Sequence, residues 1–288
     1  MVILISDLYK SIVLEMSVLF PDEEARAIAD RLFEHYFHLS PLQRVMAGSA
    51  AAAVEKSQLI RIAVNKILKN IPLQYVLGKA WFMDMEFEVN ESVLIPRPET
   101  EEMVSLILKS SAKNESFQKF KILDIGTGSG CIAISLKKHI PQSTVSAVDI
   151  SEPAITIAVR NAVKYGVKVH FFKADILDAS QWHLFPECNL IVSNPPYVTE
   201  SEKLLMKPNV LDYEPHTALF VPDDDPLVFY RCIQDFAKNR LVNGGTVWLE
   251  INEAFGKEVL SLFDENWFTE RELLKDMFGK YRFVKVTK

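Results

Sequence analysis

Residues Lys121 to Gly130, reading Lys-Ile-Leu-Asp-Ile-Gly-Thr-Gly-Ser-Gly, constrain this 288-residue chain more than any other stretch. A short apolar run enters three glycines at alternate positions, and a helix-forming segment, Cys131 to Lys138, follows at once. Glycine has no Cβ, so it allows a tight turn and close approach of a ligand, and a helix N-terminus offers free N–H groups. Strand, glycine turn and helix in that order open the parallel sheet of an α/β domain. The spacing is informative. A dinucleotide loop reads G-x-G-x-x-G, whereas this one reads G-x-G-x-G with Cys131 where the third glycine would fall. That pattern suits S-adenosylmethionine better than a pyrophosphate, because its amino acid portion can lie over the turn. Gly126, Thr127, Gly128, Ser129 and Gly130 are therefore candidate cofactor contacts.

The next apolar run, Thr144 to Val148, ends at Asp149, 19 residues after Gly130. An acidic side chain there can accept from both hydroxyls of a ribose. It can also support the start of the helix that Ser151-Glu152-Pro153 announces. A third run, Val167 to Phe172, leads to Asp175-Ile176, where a carboxylate or N–H meets the adenine edge and Ile176 packs on its face. Asp175 and Asp178 also read as ordinary loop carboxylates.

The run Leu190-Ile191-Val192-Ser193 then delivers into Asn194-Pro195-Pro196-Tyr197. The Asn194 side-chain oxygen and the Pro195 carbonyl are both acceptors, able to take the two hydrogens of a planar NH2 group while Tyr197 covers its plane. Pro195 and Pro196 hold φ near −65° and add no donors of their own. Asn-Pro and Pro-Pro are also ordinary turn punctuation after a strand.

Residues 1 to about 70 read as entirely helical. Pro21-Asp22-Glu23-Glu24 opens a helix with Ala25, Ile28, Ala29, Leu32, Phe33 and Tyr36 on one stripe, Ser40-Pro41 starts a short second, and Ser57 to Lys69 a third that stops at Asn70 and Pro72. Further on, Met83, Met85, Phe87 and Val89 alternate with acidic residues as in a half-exposed hairpin strand. In Pro96-Arg97-Pro98 the prolines forbid helix until Glu99-Thr100-Glu101 begins one. This rigid segment can wall a site, with Arg97 pairing an acid, or serve only as a hinge. Four later strands are expected at Leu190–Ser193, Thr246–Ile251, Phe268–Leu274 and Arg282–Val286. Gly244-Gly245 would turn into the Thr246 strand, and the last two strands would form a hairpin. The expected fold is α/β: a seven-stranded, mostly parallel Rossmann-like sheet with helices on both faces. It is divided as a helical domain at 1–72, a β-hairpin linker at 73–93 and a catalytic domain at 94–288.

Charge bears on the substrate. The net −6 is unfavourable for gripping a nucleic-acid backbone, and no Lys/Arg run suggests a basic groove. Residues 1–70 hold eight basic and eight acidic side chains, so the whole deficit lies beyond them. Cys131, Cys188 and Cys232 are odd in number and widely spaced, which fits small core residues in a reducing cytoplasm and no metal site. No apolar run reaches the ~18 residues of a membrane span, and the N-terminus lacks the basic region of a signal peptide.

Five motifs stand in order. They are Leu73-Gln74-Tyr75-Val76-Leu77-Gly78, Leu94-Ile95-Pro96-Arg97-Pro98-Glu99-Thr100-Glu101, Asp124 to Gly130, Val192 to Tyr197, and Glu214-Pro215-His216-Thr217-Ala218-Leu219. Together they resemble the release factor glutamine N5-methyltransferases, the HemK-like family, over roughly residues 70 to 255. The resemblance implies methyl transfer from S-adenosylmethionine to the glutamine amide of a release factor's Gly-Gly-Gln loop. It implies Asn194, Pro195, Pro196 and Tyr197 as the catalytic set, with Asn194 also near the cofactor, and Arg97, Glu99 and Glu214 as substrate-wall candidates. A release factor would be the partner; the helical domain reads equally as a cap that stabilises the fold and as the module that recognises this partner, and the chain is expected to act as a monomer away from nucleic acid and membrane. One departure follows Leu219: many members carry Gly-Gly-x-Asp-Gly, whereas here Phe220-Val221-Pro222-Asp223-Asp224-Asp225-Pro226 intervenes. The other readings are a methyltransferase acting on adenine N6 or guanine N2, which presents the same two hydrogens, a nicotinamide oxidoreductase, and a scaffold with a dead cofactor pocket.

Overall fold

The computed structural model describes residues 3–111 and 120–288. The chain begins with helices α1 (Ile5–Met16), α2 (Asp22–Phe37), α3 (Pro41–Met46), α4 (Val54–Ile67) and α5 (Leu73–Leu77). A hairpin of β1 (Lys79–Phe82) and β2 (Met85–Glu88) precedes α6 (Pro98–Ser111). Then come β3 (Lys121–Ile125), α7 (Cys131–His139), β4 (Thr144–Asp149), α8 (Glu152–Tyr165), β5 (Val169–Lys173) and β6 (Cys188–Ser193). The remainder is β7 (Val198–Thr199), α9 (Pro208–Leu211), β8 (Phe220–Val221), α10 (Val228–Arg240), β9 (Leu241–Glu250), α11 (Gly256–Leu262), β10 (Glu270–Lys275) and β11 (Tyr281–Thr287).

Two compact units result: Met1–Gly78 with Pro208–Tyr213, and Lys79–Lys207 with Glu214–Lys288. In the first, helices bury matched stripes, Ile5, Leu8, Ile12 and Met16 on α1 and Ala25, Ile28, Ala29, Leu32, Phe33 and Phe37 on α2. Tyr36 is only half buried, and Phe37 takes its place on the stripe. Ser40 and Gln43 form a capping box at α3. Beyond α4, Asn70 takes φ 64°, a left-handed conformation that asparagine tolerates. The Pro208–Tyr213 segment joins this unit through Tyr213, whose hydroxyl donates to the Lys69 carbonyl at 2.7 Å.

The second unit is built on a seven-stranded sheet ordered β10-β11-β9-β6-β3-β4-β5. Neighbours from β9 to β5 are parallel, and β11 runs antiparallel to both β9 and β10. Alternate residues feed two cores. Leu123, Ile191, Val247, Leu249 and Val284 face α10 and α11 residues such as Tyr230, Phe236 and Val259. Ile122, Val145, Leu190, Val192, Trp248 and Phe283 face Met103, Val104 and Ile107 of α6 and most of α7. A period of two on strands buried on both faces yields the continuous apolar runs seen in the sequence.

Three expectations change. The segment 73–93 is not a separate linker: Leu73–Leu77 is a helix of the first unit and the hairpin belongs to the second. Met83 is not a strand residue, because it and Asp84 sit at φ 51° and 58° in the two-residue turn between β1 and β2. Positive φ at both central residues matches the right-handed strand twist, even without glycine. Gly244-Gly245 lies inside β9 rather than before it. The β6 partner moves from Cys188↔Leu241 to Leu190↔Thr246, so Val242 to Gly245 bulge opposite Asn189 alone. Gly244, at φ 76°, turns the bulge toward the C-terminus, where its N–H donates to the Lys288 carbonyl at 2.7 Å. No helix among the described residues is long and apolar enough to cross a membrane.

Candidate active site

Sheet order explains where the motifs meet. From β3 the chain steps to β4 and β5 on one side, then returns to β6 on the other, so the switch point lies between β3 and β6. Ligands of such sheets bind there, beyond the carboxyl ends of the strands. Ile125 ends β3 and pairs with Val148 of β4 and Ser193 of β6. The glycine loop, Asp149 and Asn194 therefore leave three adjacent strands at one level, and Ser193 Oγ ties two of them by donating to the Ile125 carbonyl at 2.7 Å.

All three loop glycines have positive φ: 73° at Gly126, 54° at Gly128 and 82° at Gly130. A Cβ on Gly126 or Gly128 would meet nothing within 4 Å, so this side of the loop is open. At Gly130 a Cβ would stand 2.8 Å from Ile134 Cδ1 and 3.1 Å from Ala158 Cβ, so that glycine serves packing. The loop amides are largely committed within the protein. Gly126 and Thr127 donate to the Val148 carbonyl, Gly130 to the Thr127 carbonyl, and Gly128 to Asp149 Oδ2 at 2.8 Å. A phosphate cradle needs such donors free. This loop instead presents acceptors.

Asp124 is the chief one. It is fully buried, and Oδ2 takes Thr127 Oγ1 at 2.7 Å and the Ala133 N–H at 3.2 Å, while Oδ1 has no hydrogen-bond partner among the described residues. Burial pushes its carboxyl up to about 7 against the pull of those two bonds. Ser129 is buried, and its carbonyl accepts from Asn161 Nδ2 at 2.9 Å. Of the two duties the sequence offered Asp149, support of the helix start is on view: Oδ1 accepts the Ser151 N–H at 2.9 Å just before α8, while Oδ2 accepts the Gly128 N–H of the loop. Burial raises its pKa, opposed by the Ser151 and Gly128 amides. Asp175 Oδ1 takes the Leu177 N–H at 2.9 Å in a local turn, and Ile176 is buried in the α10-side core.

On the acceptor side, a pocket of about 40 Å³ is lined by Leu94, Arg97, Asn194, Pro195, Tyr197, Val198, Ala218 and Leu219. Three motifs far apart in sequence thus share one small cavity. Pairing of β7 with β8 holds the residues after Tyr197 against Phe220–Val221, the first residues of the departing segment. The buried Glu214 pins the proline-rich wall, accepting the Ile95 N–H at 3.1 Å and Arg97 Nη2 at 2.6 Å. Glu99 is half buried at the start of α6, and Pro196 is absent from the pocket lining. Asn194 Nδ2 donates to Thr100 Oγ1 at 3.0 Å, and neither its Oδ1 nor the Pro195 carbonyl accepts a hydrogen bond from the described residues. Tyr197 Oη donates to Glu250 Oε1 at 2.9 Å, and burial, then the charge of Glu250, raises its phenol well above the ordinary value.

Glu250, Thr100 and Asp124 were not singled out from the sequence. An acid closing the apolar strand Val247-Trp248-Leu249-Glu250 is a usable signal, since a charge at the end of a buried strand needs a partner. Among the described residues no cluster of His, Cys, Asp and Glu could hold a metal ion.

Residues 102–210 match the family model described as Methyltransferase small domain. The release factor glutamine methyltransferase of Flavobacterium psychrophilum is 41% identical over 273 residues, 94% of each chain. That of Bacteroides thetaiotaomicron is 41% identical over 92% of this chain and 94% of its own. This chain belongs to the release factor glutamine methyltransferases. Membership makes it a methyltransferase. Its fold is shared with a methyltransferase from Pyrococcus furiosus, 17% identical, which superposes over 80% of this chain and 96% of its own with a TM-score of 0.50. Neither a nicotinamide oxidoreductase nor a nucleic-acid methyltransferase is favoured by these relatives.

Proposed function

We propose that the chain transfers a methyl group from S-adenosylmethionine to the side-chain nitrogen of the glutamine in the Gly-Gly-Gln motif of peptide-chain release factors. The observation that carries this reading is the pair of unengaged acceptors, Asn194 Oδ1 and the Pro195 carbonyl, at a pocket of about 40 Å³ beside the glycine loop. That volume is of the order of one small polar group.

The residues fit the cofactor. An unpartnered buried Asp124 Oδ1 suits an ammonium group, open space beside Gly126 and Gly128 admits the amino acid portion, and the remaining acceptor capacity of Asp149 suits ribose hydroxyls. Asp175 and Ile176 are assigned to the adenine end. When bound, S-adenosylmethionine supplies an electrophilic methyl on a sulfonium.

An amide nitrogen is a weak nucleophile because its lone pair is delocalised into the carbonyl. Asn194 Oδ1 and the Pro195 carbonyl, each taking one hydrogen, hold the NH2 group with its lone pair directed out of that conjugation. Both bonds strengthen as positive charge develops on nitrogen, which stabilises the transition state rather than the bound substrate. The nitrogen would gain the methyl as the methyl–sulfur bond breaks to leave a neutral thioether, and the proton it then loses would pass to water. No dedicated base is required, since the charged product nitrogen is strongly acidic. Tyr197 and the Arg97–Glu214 wall shape the pocket around the amide, and fixed orientation contributes part of the ~7–11 kcal/mol that positioning can supply. Docking of the rest of the release factor is assigned to the helical unit.

Incubation with S-adenosylmethionine and a purified release factor, followed by mass spectrometry of the Gly-Gly-Gln peptide, should give that peptide one methyl heavier. Methylation of DNA or ribosomal RNA in parallel reactions, with the peptide unchanged, would overturn the reading.

A further inference from the structure

Behind Asn194 lies a chain of hydrogen bonds with a direction. Asn194 Nδ2 donates to Thr100 Oγ1 at 3.0 Å, and Thr100 Oγ1 donates to Glu250 Oε2 at 2.6 Å. The other carboxylate oxygen takes Tyr197 Oη at 2.9 Å. Thr100 and Glu250 are 2% and 1% exposed, so no bulk water competes. Glu250 stands here because Leu249 of β9 pairs with Ser193 of β6, which brings the next residues, Glu250 and Asn194, side by side.

A threonine hydroxyl carries one hydrogen. Committed to Glu250, it leaves Thr100 Oγ1 only lone pairs for Asn194, and the amide must then show Nδ2 to Thr100 and Oδ1 to the pocket. Rotated by half a turn, the same amide has nearly the same shape and would offer NH2 to a substrate NH2, donor against donor. Asn194 can be an acceptor only while the chain runs toward Glu250. An ionised carboxylate, which has no hydrogen to give, enforces that direction.

We propose that Glu250, acting through Thr100, is the positioning residue that orients the Asn194 amide, and that it does so in its ionised form; this rests on the reading of Asn194 as an acceptor for the substrate amide. A protonated Glu250 can donate to Thr100 Oγ1 and free the threonine hydrogen for Asn194 Oδ1, reversing the amide. The groups facing Glu250 are Thr100 and Glu99 of α6, Tyr197 after β6, Tyr230 of α10, whose hydroxyl meets the Glu250 carbonyl at 3.1 Å, and Arg282 of β11. Burial raises its pKa, Thr100, Tyr197 and Arg282 pull it back, and Glu99 adds to the rise. Turnover therefore falls on acidification at a pH above the ordinary glutamate range.

Thr100→Val, Thr100→Ser and Glu250→Gln test this, with kcat measured across pH and cofactor affinity by calorimetry. Thr100→Val keeps the shape and removes the relay, so kcat should fall roughly ten- to a hundredfold, with cofactor affinity nearly unchanged and a lower melting temperature, because Glu250 Oε2 loses a buried partner. Thr100→Ser restores the hydroxyl and should recover most of the rate. Glu250→Gln should lower kcat and abolish the acid limb of the pH profile. Wild-type kcat in Thr100→Val, equal losses in valine and serine variants, or an acid limb retained in Glu250→Gln would each overturn the proposal. Asn194→Ala separates the two readings. Full activity there removes the acceptor clamp itself, whereas an inactive Asn194→Ala beside a normal Thr100→Val removes only the relay.

Discussion

At the scale of single residues, Asn194 presents one face to Thr100 and the other to the pocket, which gives a divided prediction. Asn194→Ala should lower kcat by roughly 10²–10³, the effect of losing one pre-placed electrostatic partner, while calorimetry finds cofactor affinity almost unaltered. Comparable loss of cofactor affinity would assign Asn194 to the cofactor instead. Asp124 gives a second test. Its carboxyl rises from 3.8 to about 7 on folding because it is buried. The folded state then holds the proton more tightly than the unfolded state, so this group's stabilising contribution is complete below 3.8 and is lost as pH rises through about 7. Unfolding free energies of wild type and Asp124→Asn should diverge across that window by up to about 4 kcal/mol, with wild type gaining on acidification. A difference that stays constant with pH would contradict the burial argument.

At the scale of elements, the β1–β2 hairpin is fastened to α8. Asn161, 1% exposed, accepts the Glu88 N–H at 2.7 Å and donates to the carbonyls of Glu88 and Ser129 at 3.0 and 2.9 Å. One side chain thus joins the hairpin to the cofactor loop. Arg160 and Lys164 add ion pairs to Glu88 and Glu86 near the surface. Asn161→Ala should destabilise the protein by about 2–3 kcal/mol, since buried partners are left unpaired, and weaken cofactor binding as the loop loosens. Arg160→Ala, which removes an exposed pair, should cost less than about 1 kcal/mol. Denaturant titration of both variants would distinguish these, and equal small effects would place the hairpin outside the cooperative fold. The strands themselves were legible because residues such as Leu190, Ile191 and Val192 are buried on both faces and form unbroken apolar runs. The Met83–Asp84 turn was not legible, because positive φ without glycine leaves no compositional mark and alternation continues across it.

Across the whole molecule, the helical unit carries exposed apolar side chains on α3: Leu42 at 70%, Val45 at 66% and Met46 at 78%. Leu42 and Met46 lie four residues apart on one helix face. If this unit docks the release factor, replacing both by serine should raise KM for an intact factor roughly five- to thirtyfold, the effect of one or two kcal/mol. Turnover of a short Gly-Gly-Gln peptide should be unchanged. Equal losses with both substrates would move docking elsewhere.

Local signals sufficed for much of this protein. Strand, three glycines and helix were legible as a tight turn at the end of β3, and Asn194-Pro195-Pro196-Tyr197 as a turn after β6 that carries two acceptors, because backbone conformation and donor inventory are properties of a few neighbouring residues. The central strands and their two-sided burial were legible as unbroken apolar runs. What only the tertiary structure decided is who stands beside whom. Asn194, Thr100 and Glu250 are 94 and 150 residues apart along the first and second hydrogen bonds of their chain, and no spacing rule connects them. Adjacency across a parallel sheet is set by crossover connections and strand order, so the carboxylate behind the clamp became visible only once β9 lay against β6.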